Sequence, residues 1–183
     1  MGGSLRVPPS KSVTHRQLAL ALLAGAPVEV RRPLVAEDSA LFLGALRGAG
    51  WSVEELPGAV RLTPGSAPPR AIVDCGNAGT LLRFLVALLA TQPGEWTLDG
   101  TPRLRERPVG PLVAALQQLG VGVRWGGRPG YPPLTIAGGS FAGGAATVDA
   151  GESSQYLSAL LLAALRAPRP TTLRVTALTS APY

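Results

Sequence analysis

The sequence predicts an α/β fold assembled from a repeated unit, and three observations carry that expectation. Short strand-like runs alternate with longer apolar, helix-like runs along the chain. Residues 45–53 (ALRGAGWSV) align without a gap on residues 115–123 (ALQQLGVGV), an offset of 70 residues that sets Ala45 on Ala115, Gly50 on Gly120 and Val53 on Val123. Finally, 46% of the 183 residues are apolar and 15% charged, the balance of a globular chain with a sizeable core.

The first helix is expected in PSKSVTHRQLALALLAG (9–25). Pro8 and Pro9 hold the backbone extended ahead of it, and Ser10, Ser12 or Thr14 can cap it. VEVRRP (28–33) reads as a strand. Residues 45–53 read as a helix end, a glycine stop and a strand start, and so do residues 115–123. AIVDC (71–75) is the next strand, followed by a helix in GNAGTLLRFLVALLA (76–90) with Thr80 as its expected cap. WTLDG (96–100), LTIAG (134–138), ATVDA (146–150) and TLRVTAL (172–178) complete the strands. In TPRLRERPVG (101–110) an extended backbone would set Arg103, Arg105 and Arg107 on one side, with Pro108 at a first helical position. GESSQYLSALLLAALRA (151–167) is a third helix start, with Leu157, Leu160, Leu161 and Leu165 as its expected apolar face.

The polar helix starts recur at the same period. Ser12 and Thr80 are 68 residues apart, and Thr80 and Ser154 are 74 apart. The expected units are therefore about 1–70, 71–140 and 141–183, the last without its second helix. Three full units need some 210 residues, so the chain is expected to be one segment of a longer protein.

Net charge is +6, with a sequence pI near 10.7, which directs attention to anionic partners. Aromatic residues are only 5% and no run of five basic residues occurs, which argues against nucleic acid and for small anions held by a few placed cations. The single cysteine, Cys75, forms no internal disulfide and reads as a small buried residue. LALALLAGAPV and FLVALLA are too short to span a bilayer, so no membrane partner is expected, and the expected location is the cytoplasm.

The chain has one lysine, Lys11, against sixteen arginines. It lies at a helix start, where free N–H groups and the positive dipole end favour an anion. Ser12 and Arg16, four residues apart, share a face there. Around Asn77, Gly76 and Gly79 allow close backbone approach, and Arg83 follows Thr80 by one turn. Ser153, Ser154 and Gln155 offer two hydroxyls and an amide, while Arg107 can grip phosphate or carboxylate by paired hydrogen bonds. Repeated units would bring these starts to one end of the fold, as a basic, hydroxyl-rich cleft for a substrate carrying phosphate and carboxylate.

In this order and spacing, PSKSVTHR, GNAGTLLR, RLRERPVG, YPPL and SSQYLSALL resemble the 5-enolpyruvylshikimate-3-phosphate synthase family. The resemblance spans nearly the whole chain but only the N-terminal portion of the family. It implies an enolpyruvate transferase-like lobe of βαβαββ units, one of two lobes with the active site in the cleft between them. It also implies transfer of the enolpyruvyl group of phosphoenolpyruvate to the 5-hydroxyl of shikimate 3-phosphate, with no cofactor and no metal. Carried over by residue, Lys11 would contact phosphoenolpyruvate and help move a proton, which a lysine can release and an arginine effectively cannot. Ser12 and Arg16 would hold the carboxylate side of shikimate, and Gly79 and Arg107 would bind phosphoenolpyruvate, with Asn77 and Thr80 also in the binding set. Ser153 and Ser154 would hold the shikimate phosphate, and Gln155 would lie against both substrates. Ser180 falls at a further phosphate position and Tyr183 closes that motif, although Ala181 stands where the family has lysine. The catalytic residues of the C-terminal lobe lie outside this chain, which is expected to be inactive without that partner lobe. The alternatives are the sister UDP-N-acetylglucosamine enolpyruvyl transferase lobe, which typically has Lys-Asn at Lys11-Ser12, and a non-catalytic basic binding module.

Overall fold

Helix α1 (Lys11–Ala24) leads into strand β1 (Val28–Arg31), helix α2 (Glu37–Gly48) and the hairpin of β2 (Ser52–Leu56) and β3 (Ala59–Thr63). The same succession follows a new first strand: β4 (Arg70–Asp74), α3 (Gly79–Leu89), β5 (Gly94–Asp99), α4 (Gly110–Gln118), β6 (Val123–Trp125) and β7 (Leu134–Gly138). Strand β8 (Gly144–Ala150), helix α5 (Ser154–Ala164) and strand β9 (Thr171–Leu178) begin it once more. The computed structural model describes residues 2, 3, 5 and 7–178; the expectations for Ser180 and Tyr183 lie outside the described residues.

The strands form three sheets, ordered β1-β3-β2, β4-β5-β7-β6 and β8-β9. Strand β4 runs parallel to β5, and β8 runs parallel to β9; every other pair is antiparallel. Each parallel pair is bridged by one helix, α3 or α5, as a parallel connection requires. Both crossovers begin with the same turn. Asp74 and Asp149 each accept a hydrogen bond from a glycine N–H two residues on, Gly76 and Gly151, at 2.8 Å. The sequence carries that duplication as Val-Asp-x-Gly at 73–76 and 148–151, a signal that apolar periodicity does not register. The repeat at 45–53 and 115–123 folds as expected. Gly50 (φ +89°) and Gly120 (φ +93°) each turn a helix end toward the next strand.

Helix α3 is buried along its length except at Thr80 and Arg83. A helix apolar all round has no solvent face, so it must be enclosed. It packs against α1, α2, α4 and α5, and strands β5 and β7 close a further side. Its leucines 81, 82, 85, 88 and 89 are all fully enclosed, each contributing about 1.5–3 kcal/mol by leaving water.

Three sequence expectations change. Helix α5 buries Tyr156, Ala159, Leu160 and Ala163, while Leu161 and Leu165 remain 55% and 65% exposed. The buried set follows i, i+3, i+4, i+7 spacing and brings the two alanines inward, so α5 can approach α3 closely; the outer leucines lie on the flank. Residues 101–107 are not extended. Leu104, fully buried, pulls Leu104–Glu106 into a 3₁₀ turn, and the three arginines fan apart. Helix α4 begins at Gly110 with Pro111 in its first turn, so Pro108 precedes the helix. Among the described residues no helix is long and apolar enough to cross a membrane.

Candidate active site

The starts of α1, α3 and α5 are built differently. At α1, Ser10 is the cap, its hydroxyl accepting from the Val13 N–H at 3.4 Å. Of the other candidate caps, Thr14 is buried and accepts from the Leu34 N–H at 2.9 Å, and Ser12 is exposed. At α5, Ser153 caps by accepting from the Gln155 N–H at 3.3 Å, and Ser154 is the first helical residue. At α3 the capping position is Ala78, which has no side chain to offer, and Thr80 lies inside the helix instead of capping it. Its first N–H groups therefore have no side-chain acceptor.

Beside that uncapped start lies a cavity of about 310 Å³. Asn77, Gly79, Thr80 and Arg83 of the α3 region line it, with Lys11 of α1, Glu37 and Asp38 of α2, Arg107 and Gln155. Arg107 rests on Gly79: a Cβ added there would lie 3.0 Å from both Cδ and Nη1 of the arginine. The glycine is thus what lets a guanidinium lie against the helix start. Together these groups present backbone donors, two guanidinium groups, an ammonium, two amides and a hydroxyl, the chemistry of an anion site.

The cavity is not purely basic, which corrects the expectation from sequence. Lys11 forms an ion pair with Asp38, and Glu37 stands beside it in the first turn of α2, where the helix dipole favours negative charge. The run Glu-Asp ahead of an apolar stretch at 37–43 carried that signal in the sequence.

Of the other expected residues, Ser12 and Arg16 lie on α1, and Ser153 and Ser154 at the start of α5. Arg16 donates to the Ser12 carbonyl at 3.1 Å and reaches the Ser158 hydroxyl of α5 at 3.5 Å, its guanidinium 5.5 Å from the Phe84 ring centroid. Ser12, Arg16, Ser153 and Ser154 do not line the 310 Å³ cavity itself. Arg105 turns away to Asp99, bound through Nε at 2.9 Å and Nη2 at 2.5 Å, and that pairing holds the Asp99 carboxyl below the usual range. Arg103 is exposed.

Two reactive residue types sit inside the fold. Burial, with the nearby Asp74 and Asp99 carboxylates adding to it, pushes the Cys75 thiol up to about 12, so it stays protonated and inert near neutral pH. His15 is fully buried, edge-on to Phe42 with ring centroids 5.6 Å apart. Burial lowers its basicity, Asp38 opposes that, and Lys11 and Arg16 add to it.

Comparison with known proteins gives the site its context. The family model for EPSP synthase (3-phosphoshikimate 1-carboxyvinyltransferase) matches residues 1–183. A 3-phosphoshikimate 1-carboxyvinyltransferase from Syntrophobacter fumaroxidans is 46% identical over 163 residues, covering 87% of this chain and 38% of the relative. One from Kocuria rhizophila is 44% identical over 186 residues, covering 95% and 41%. A solved EPSP synthase structure from Acinetobacter baumannii superposes with a TM-score of 0.79 at 30% identity, covering 93% of this chain and 41% of that one. The chain thus spans about two fifths of the length of the curated relatives it matches.

Proposed function

The chain belongs to the EPSP synthase family, and from that premise we propose that it is a single substrate-binding lobe of an enzyme joining phosphoenolpyruvate to shikimate 3-phosphate. In that reaction C3 of the enol is protonated, the 5-hydroxyl gives up its proton as it attacks C2, and phosphate leaves the tetrahedral adduct as C3 loses a proton, which restores the double bond. Residues 1–183 form the lobe, in units of about 1–70, 71–140 and 141–183. The C-terminal part of such an enzyme supplies the opposite wall of the cleft, and the cytoplasm is where its substrates meet it.

The observation that supports this most is the seat at α3: Arg107 against Gly79, beside an uncapped helix start and within one cavity with Lys11 and Gln155. A phosphate or carboxylate placed there meets donors already oriented, which lowers the reorganisation required during reaction. Lys11 and Arg107 hold phosphoenolpyruvate there with Gly79, Asn77 and Thr80. Ser153 and Ser154 hold the shikimate phosphate, Ser12 and Arg16 the carboxylate side, and Gln155 spans the two substrates. Lys11 is the group of this lobe suited to move a proton, and Asp38 holds its ammonium until a substrate anion competes for it.

Thermal unfolding tests the proposal. Shikimate 3-phosphate is expected to raise the melting temperature of this chain, and Ser154→Ala to abolish that rise. A rise with UDP-N-acetylglucosamine instead would assign the lobe to the sister reaction. No rise with either ligand would show that this chain does not hold its share of the site.

A further inference from the structure

We infer that Arg83 and Thr80 lock the side-chain amide of Gln155 so that it meets a bound anion only as a hydrogen-bond donor. This deepens the proposal above and rests on its anion site. An amide has one end that accepts and one that donates, nearly identical in shape, so a half-turn about its last bond reverses what a ligand meets. With the oxygen toward the cavity Gln155 would repel a phosphate; with the nitrogen toward it, it would bind one.

The neighbours leave one orientation. Arg83 is a donor only, and its Nη1 lies 2.8 Å from Gln155 Oε1. A flipped amide would set NH₂ against guanidinium, donor against donor. On the other side Gln155 Nε2 donates to Thr80 Oγ1 at 2.9 Å. That spends one of its two hydrogens, and the second has no partner among the described residues. Gln155, Thr80 and Arg83 all line the cavity, so the clamp lies at its wall.

Arg83 is itself held. Its guanidinium stacks 5.2 Å from the centroid of the Tyr156 ring, a fully buried residue next to Gln155. The Tyr156 hydroxyl donates to the Pro108 carbonyl at 2.8 Å, one residue beyond Arg107. One tyrosine therefore braces both the arginine that orients Gln155 and the backbone that carries Arg107. Arg83 is on this account a positioning residue that acts through Gln155.

The test combines two readouts on the full chain. In ¹⁵N-labelled protein the Gln155 amide, identified by its loss in Gln155→Ala, is expected to show two well-separated, slowly exchanging proton signals. Arg83→Met should collapse them toward free-amide positions, and Arg83→Lys, still a donor only, should restore much of the separation. Phosphoenolpyruvate affinity, by calorimetry, should fall about tenfold in Arg83→Met, the order expected for a charge-assisted hydrogen bond. That loss should vanish when Gln155 is already alanine. An equal loss in the Gln155→Ala background would mean that Arg83 touches the anion itself, and would overturn the proposal. Amide signals unchanged in Arg83→Met would overturn it independently of any ligand. If the wild-type chain does not bind phosphoenolpyruvate while the amide still depends on Arg83, the anion reading of the cavity fails, and the donor role with it. Melting temperatures of the unliganded variants separate these outcomes from loss of fold.

Discussion

The starts of α1 and α3 reach the same cavity and are built in opposite ways. Helix α1 caps itself with Ser10, and its one cation there, Lys11, is answered by Asp38. Helix α3 has alanine at the capping position, and Gly79 is bare so that Arg107 can lie on it. A missing cap costs about 1 kcal/mol, and α3 can bear that because nearly all of its length is buried. The exposed side of α1, with Ser12, Val13, Gln17 and Leu20 in solvent, has less packing to draw on. The contrast teaches that unanswered donors are kept where packing already holds the element in place.

The largest effect should come from α3's packing. Leu85→Ala is expected to cost about 2–5 kcal/mol in denaturant unfolding, because a fully enclosed leucine leaves a cavity. Leu20→Ala on α1, 46% exposed, should cost no more than about 0.5 kcal/mol beyond any propensity change. Equal costs would remove the reason offered for α3's tolerance. Next in size is Gly79→Ala. The new methyl displaces the flexible end of Arg107, while alanine suits a helix better than glycine. Phosphoenolpyruvate affinity should fall about tenfold with the unliganded melting temperature unchanged or slightly higher. A lower melting temperature with affinity intact would make Gly79 a packing residue. Smaller again is Asp38→Asn, which frees Lys11 and should raise anion affinity by about 1 kcal/mol, an effect that added salt erodes.

Much of this was legible in the sequence. The alternation of elements and the 70-residue offset gave the α/β class, because both are local patterns of apolar residues and glycines. Lys11, Asn77, Gly79, Thr80, Arg107 and Gln155 do line one cavity, since repeated units set equivalent helix starts side by side. What the repeat pattern did not give was the sign of the site. Glu37 and Asp38 enter it from α2, an element with no polar motif of the repeated kind. The arginine fan at 103–107 misled because alternation assumes an extended backbone, whereas one buried leucine, Leu104, curls the segment. The outward leucines of α5 misled because small residues won the close contact with α3. Arg83 was visible one turn after Thr80, yet its tie to Gln155, 72 residues away, exists only in three dimensions.

The smallest effect is the sharpest discriminator between the two starts. Ser10→Ala removes a cap that is exposed and long, 3.4 Å, so its cost should sit near the low end for caps, about 0.5 kcal/mol. Because that hydroxyl serves the helix and not the cavity, phosphoenolpyruvate affinity should not change. Ser10→Asp should retain the cap and favour the helix dipole, so stability is kept. It also adds a negative charge next to Lys11, so anion affinity should drop, and more so at low salt. One position then yields stability without affinity in one variant and affinity without stability in the other. If Ser10→Ala instead weakens anion binding and leaves the melting temperature unmoved, the terminus of α1 serves the ligand in the way proposed for that of α3, and the two starts do not differ in kind.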